Sequence, residues 1–208
     1  MPKKIIEPLT FELEDSYRAL GYSVICGTDE AGRGPLCGPV AAAACILPEG
    51  FIIPELNDSK KLTEKKREEL YTIITENAVS YAIELVSNEV IDEINILNAA
   101  QLAMRNAIKR LEPFPDLALV DGNVARDFQI PARAIVKGDA TSPSIAAASI
   151  LAKVTRDRQC IELDAAYPQY GIAKHKGYGT KAHMEALRKY GPAPIHRKQF
   201  IRFLEKES

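Results

Sequence analysis

No tryptophan occurs in the 208 residues, and methionine and histidine appear only three times each. A metal centre built chiefly on histidine therefore has little material to draw on. His175, His183 and His196 show no metal-ligand spacing with one another, so the expectation for them is packing or contact with a phosphate backbone rather than catalysis. The four cysteines, Cys26, Cys37, Cys45 and Cys160, form no C-x-x-C pair and stand mostly in apolar or Gly-rich stretches, which points to buried free thiols. The longest apolar runs, 39–48 and 145–152, are far shorter than a membrane span. The opening Met-Pro-Lys-Lys-Ile-Ile-Glu has no signal-peptide core, so a cytoplasmic protein without a membrane segment is expected. Neither G-x-x-x-x-G-K nor G-x-G-x-x-G follows a strand, which argues against a nucleotide-binding α/β enzyme.

What is present is enough for one core. Area scaling gives a folded surface of roughly 9,600 Å² against about 33,000 Å² unfolded, so the chain can bury about 70% of its surface. With 46% hydrophobic and 26% charged residues it reads as an ordinary globular domain. The net charge of −1 conceals an asymmetry: residues 171–208 hold nine Lys or Arg against three Glu, a tail of +6 on a body of −7. Such a tail suggests an anionic partner.

The pattern predicts an amphipathic N-terminal helical extension over 1–21, with Leu9, Leu13, Tyr17 and Leu20 at helical spacing, ahead of a single domain over 22–208. Strands are expected at 22–28, 40–47, 79–86, 117–120 and 132–136. Helices are expected at 63–77, 91–111, 144–166 and 181–190. An opening antiparallel pair followed by alternating strands and helices implies a mixed α/β sheet with helices on both faces. No sign of oligomerisation is visible, and a monomer is the default.

Four acids stand out. Asp29 and Glu30 close the first strand ahead of a Gly-rich loop, where a carboxylate either caps the loop or binds something positive. Leu117, Leu119 and Asp121 share one strand face by the period of two, so Asp121 occupies the equivalent end of another strand. Ile150, Val154, Asp157 and Ile161 share one helical stripe, with Arg156 and Arg158 expected to point away from it. An acid on an apolar face needs a partner, for which Arg33 and Arg126 are the alternatives to a metal. Four carboxylates with no His, Cys or Ser among them favour Mg²⁺ or Mn²⁺ over zinc, and the set suits two-metal phosphodiester chemistry.

Several segments resemble bacterial ribonuclease HII, a type 2 ribonuclease H. They are Gly27-Thr-Asp-Glu-Ala-Gly-Arg-Gly-Pro-Leu36, Asn57-Asp-Ser-Lys-Lys-Leu62, Leu119-Val-Asp-Gly-Asn123, Lys137-Gly-Asp139, the run from Ala146 to Asp157, His175-Lys-Gly-Tyr-Gly-Thr180 and Pro194-Ile-His-Arg197. The likeness runs in order from about Tyr22 to about Phe200. Ribonuclease HIII is disfavoured because only about 20 residues precede the first strand, and a non-catalytic relative is disfavoured because all four acids are present.

The resemblance implies a ribonuclease H-like mixed sheet flanked by helices, with a short C-terminal helical segment. It also implies metal-dependent hydrolysis of RNA paired to DNA, with cleavage 5′ of a single ribonucleotide in duplex DNA to leave a 3′-hydroxyl and a 5′-phosphate. By the same resemblance, Asp29, Glu30, Asp121 and Asp157 are the catalytic metal ligands. Gly32, Arg33 and Gly34 then form a ribose-reading loop, Lys60 matches the lysine near the scissile phosphate, and Tyr178 stacks on the sugar at the RNA–DNA junction; Lys153, one turn before Asp157, is a further candidate for substrate binding. The basic tail becomes a phosphate-tracking surface.

Overall fold

The alanine-rich segment Val40–Ile46 is the middle of the molecule, and its composition explains the layers on either side. All seven residues are buried, which a strand can satisfy only when both faces are covered. Val40, Ala42, Ala44 and Ile46 face one apolar cluster, while Ala43 and Cys45 face another, as the period of two requires. This strand is β2, and the computed structural model, which describes residues 8–206, places it second in a five-stranded sheet. The other strands are β1 (Ile25–Ala31), β3 (Ser80–Val86), β4 (Leu117–Asp121) and β5 (Ala132–Ile135), in the order β3-β2-β1-β4-β5. β1 runs antiparallel to β2 and parallel to β4, and β4 runs parallel to β5, so the sheet is mixed as expected.

Helix α4 (Ile96–Lys109) covers one face through Ala99, Ala100, Ala103, Met104 and Ala107. Helix α5 (Pro143–Ala166) covers the other through Ala146, Ala147, Ile150, Leu151 and Val154. Small side chains on both partners let the layers approach closely, and Gly27 marks the nearest point. A β-carbon there would lie 2.2 Å from the backbone nitrogen of Ile145, so no larger residue fits. From that point α5 travels along β1. Twelve helical residues advance about 18 Å and five strand residues about 17 Å, which brings Arg156 beside Gly32 at the end of β1.

Helix α1 (Glu12–Arg18) packs on the same body. The buried Glu14 accepts hydrogen bonds from the Ser142 hydroxyl at 2.7 Å and the Ser144 N–H at 3.2 Å, at the start of α5. Leu13 and Tyr17 face the core, but Leu20 is exposed because α1 ends before it. Residues 1–7 of the expected 1–21 extension, and residues 207–208, lie outside the described residues. Helices α2 (Glu64–Asn77), α3 (Asn88–Ile94), α6 (Ile172–His175), α7 (Lys181–Tyr190) and α8 (Phe203–Lys206) complete the set, the last three forming a C-terminal helical segment.

Three expectations are corrected. The single helix over 91–111 is two helices, because Asn95 adopts φ 65° and its side chain caps α4 by accepting the Asn98 N–H at 3.1 Å. Ile161 lies at the solvent end of its stripe and is half exposed, whereas Arg156 is buried rather than pointing away. β1 runs over Ile25–Ala31 rather than 22–28, and Asp29 and Glu30 stand near its end. Among the described residues, no helix is long and apolar enough to cross a membrane.

Candidate active site

Asp29 and Asp121 meet because of strand register. Thr28 pairs with Val120 as the last register pair of the parallel β1–β4 ladder, so Asp29 and Asp121, the next residue of each strand, stand at the same level. Burial holds the Asp29 carboxyl well above the usual carboxylate range, and the charges of Glu30 and Asp121 push it further. A Ser149 hydroxyl and the Glu30 N–H, at 2.7 Å, oppose that shift. Burial also raises Glu30, though the Arg33 guanidinium 3.2 Å away counteracts it. Asp121 accepts the Gly138 N–H at 2.8 Å and the Asp139 N–H at 3.4 Å, which orients one of its oxygens.

Asp157 arrives from α5 and is balanced differently. Lys153, one turn earlier, donates to it at 2.6 Å, and Arg67 of α2 lies 3.5 Å away. Those two cations take the place of the Arg33 or Arg126 pairing considered from the sequence. Arg33 pairs with Glu30, and the Arg126 backbone N–H binds Gln101.

Asp29, Glu30 and Asp157 line one cavity of about 580 Å³ together with Gly32, Arg33, Gly34, Lys60, Lys153 and Tyr178. Asp121 is outside that lining and reaches the site through its neighbour Asp29. Six basic residues, Arg33, Lys60, Arg67, Lys153, Arg156 and Lys176, line the cavity against three acids, which suits a polyanion entering beside the carboxylates. Burial works against the charge of Lys60, but the carboxylates of Asp29, Asp58, Asp139 and Asp121 outweigh it and leave the ammonium firmly protonated. Tyr178 is half exposed and abuts the loop: a β-carbon on Gly34 would lie 3.1 Å from its ring.

Sequence reasoning missed four contributors. Ser149, which hydrogen-bonds Asp29, has its hydroxyl 3.0 Å from that of Ser59 and both line the cavity, while Arg67 balances Asp157. Asp139, in the Lys137-Gly-Asp139 motif, is raised to about 6 by burial and by the charges of Asp121 and Asp58. The motifs that hold Asp139, Ser59 and Ser149 were the available signal; Arg67 had none.

The C-terminal segment forms a second buried cluster. Cys37, His183 and His196 hold ligand atoms within 4.8 Å of one another. Proton placement accounts for the two rings without a metal. The carbonyl of Tyr178 can only accept, so His183 Nδ1 carries the proton. The bare His183 Nε2 then accepts the His196 Nε2–H at 3.2 Å, which leaves His196 Nδ1 to accept the Ala193 N–H at 3.0 Å, with the Ala193 carbonyl 3.1 Å away. Burial lowers both imidazoles, His196 to about 4, and keeps them neutral. This is the packing role expected for them. All four cysteines are buried free thiols, as expected; burial pushes Cys26 up to about 12 and Cys37 to about 11.

The basic tail needs one correction. Arg197 is fully buried beneath the Gly32–Pro39 loop, so it is no part of a phosphate-tracking surface.

A sequence model of the family described as Ribonuclease HII matches residues 26–203. A Ribonuclease HII of Caldicellulosiruptor saccharolyticus is 54% identical over 192 residues, spanning 92% of this chain and 94% of that protein. Among solved structures, the ribonuclease H2 of Pyrococcus horikoshii OT3 superposes with a TM-score of 0.71 at 27% identity, covering 89% of this chain and 98% of that one. A Bst ribonuclease HIII solved in complex with Mn²⁺ shares the fold, with a TM-score of 0.61 at 17% identity over 86% of this chain and 67% of that one.

Proposed function

Since the chain belongs to the ribonuclease HII family, whose members are endoribonucleases, we propose that it hydrolyses the RNA strand of RNA/DNA hybrids and cuts duplex DNA 5′ of a single embedded ribonucleotide. The products are a 3′-hydroxyl and a 5′-phosphate. The observation that carries this reading is the convergence of Asp29, Glu30 and Asp157 on one basic cavity, with Asp121 held beside Asp29 by strand register.

The donor set fits a hard divalent cation. All four groups offer carboxylate oxygens, and Asp29, Glu30 and Asp121 crowd negative charge that desolvation alone makes costly. Asp29, Glu30, Asp121 and Asp157 would hold Mg²⁺ or Mn²⁺, the latter being the ion named for the Bst ribonuclease HIII. Bound there, such ions supply an activated water and stabilise the leaving oxygen of an in-line displacement.

The chain's own residues bind and orient. Lys60 and Lys153 place positive charge beside the acids, where the scissile phosphate must lie. The backbone of Gly32, Arg33 and Gly34 approaches the sugar edge, and a 2′-hydroxyl there separates RNA from DNA. Tyr178 packs against the sugar on the junction side.

The test is cleavage of an end-labelled DNA duplex holding one ribonucleotide, with Mg²⁺ or Mn²⁺, beside an all-DNA duplex and an RNA/DNA hybrid. Cuts 5′ of the ribonucleotide and within the hybrid, none in DNA, and upstream ends that a polymerase extends are the expected result. Cleavage of the all-DNA duplex at a similar rate overturns the reading.

A further inference from the structure

The loop from Gly32 to Pro39 carries three glycines and two prolines and belongs to no helix or strand, so its shape must be imposed from outside. Arg197 imposes it. Nε donates to the Gly38 carbonyl at 3.0 Å, Nη1 to those of Arg33 at 3.0 Å and Pro35 at 2.9 Å, and Nη2 to those of Gly32 at 2.7 Å and Pro39 at 3.1 Å. A guanidinium has five N–H donors, and here every one is spent on this loop. The Arg197 N–H takes the Leu36 carbonyl at 2.9 Å, and Arg156 Nη2 takes that of Cys37 at 2.9 Å. Seven of the eight loop carbonyls are thus bound by two arginine residues. Among the described residues, the Gly34 carbonyl and the N–H groups of Arg33 and Gly34 make no hydrogen bond, and both residues line the cavity.

A buried cation with this arrangement is costly. Among the described residues no carboxylate forms an ion pair with Arg197, and burial together with the Arg156 charge lowers it to about 10. Carbonyl dipoles, the Phe200 ring 5.3 Å from the guanidinium carbon and the charge of Asp92 offset part of the desolvation. Lysine could not take its place, because three donors on a tetrahedral ammonium cannot span five carbonyls.

We infer that Arg197 is a positioning residue for sugar discrimination. It draws the loop carbonyls inward, leaves the free backbone groups of Arg33 and Gly34 facing the cavity, and seats Gly34 against Tyr178, without itself touching substrate. This inference rests on the proposed ribonucleotide-directed cleavage.

The experiment compares wild type with Arg197→Lys. It measures KM and kcat on a single-ribonucleotide duplex, affinity for that duplex against an identical all-DNA duplex, Mn²⁺ binding by calorimetry, and thermal melting. Arg197→Lys should raise KM at least about tenfold and bring the two duplex affinities together, since misplacement of a positioning group by about 1 Å costs up to about a hundredfold. Mn²⁺ affinity should stay at the wild-type value, because the acids lie on other elements. A folded Arg197→Lys with wild-type discrimination overturns the inference. Should that variant fail to fold, Phe200→Leu loosens the guanidinium without removing it. A smaller loss of discrimination, about threefold, supports the inference, and a lowered melting point with unchanged discrimination overturns it. A wild-type protein that ignores the ribonucleotide would sink the proposed function itself, and is read separately from either variant.

Discussion

Asp29 and Asp121 emerge side by side from parallel strands because Thr28 and Val120 are paired, and their mutual repulsion is built into the sheet. The Asp29 pKa is raised in the folded state, so folding is unaffected below the unfolded carboxyl value, near pH 4. Stability falls as pH rises through the interval between the unfolded and folded values. Asp29→Asn removes that penalty. Without divalent ions at pH 7–8 its melting midpoint should exceed wild type by about 2–4 °C, the shift that about 1 kcal/mol produces in a chain of this size. The difference should vanish near pH 4. Added Mn²⁺ should raise the wild-type midpoint more than that of the variant, and cleavage should fall at least about a hundredfold. Melting curves across pH, with and without Mn²⁺, check the first three outcomes, and the labelled-duplex assay checks the last.

His196 supplies a pH dependence of opposite sense. Its folded pKa, about 4, lies below the unfolded value of 6.5, so the stability it contributes is complete above about pH 6.5 and is lost as pH falls toward 4. After allowance for solvent screening the loss amounts to about 1–2 kcal/mol. His196→Gln should flatten urea-derived stability over that window. A wild-type pH slope in the variant would show that the His183–His196 pair does not titrate with unfolding.

Tyr178 touches the loop at Gly34 and is half exposed to the cavity. Tyr178→Ala should reduce cleavage at a single ribonucleotide by about tenfold or more, consistent with losing about 1–3 kcal/mol of stacking. Cleavage within a long RNA tract should fall less. Equal losses on both substrates would assign the ring to packing alone.

Lys174, Lys176 and Lys181 test the basic segment. Lys176 lines the cavity and lies 4.0 Å from Glu64, while Lys181 is largely exposed, 3.9 Å from Glu185. Replacing all three by Gln should lower the log–log salt slope of duplex binding by between about two and three, at roughly 0.9 for each phosphate contact. An unchanged slope would make them a solvated face.

Local sequence determined the layers and the chemistry at the strand ends. The period of two placed Asp121 beyond Leu117 and Leu119, the helical stripe turned Asp157 inward, and the apolar run at 40–47 marked the strand β2. Such periodicities are properties of the chain's own geometry, and they survive whatever packs against them. Partners are another matter. That Asp29 faces Asp121, that Lys153 and Arg67 balance Asp157, and that Ser149 backs Asp29 depend on register and on the close seat of α5 over Gly27, which segments far apart in the chain create together. Arg197 shows the limit most clearly. In the sequence it is one charge in a basic tail, whereas in the fold it spends all five donors on a loop 158–165 residues away, because a chain segment without its own hydrogen-bonded structure can be shaped only by donors from elsewhere.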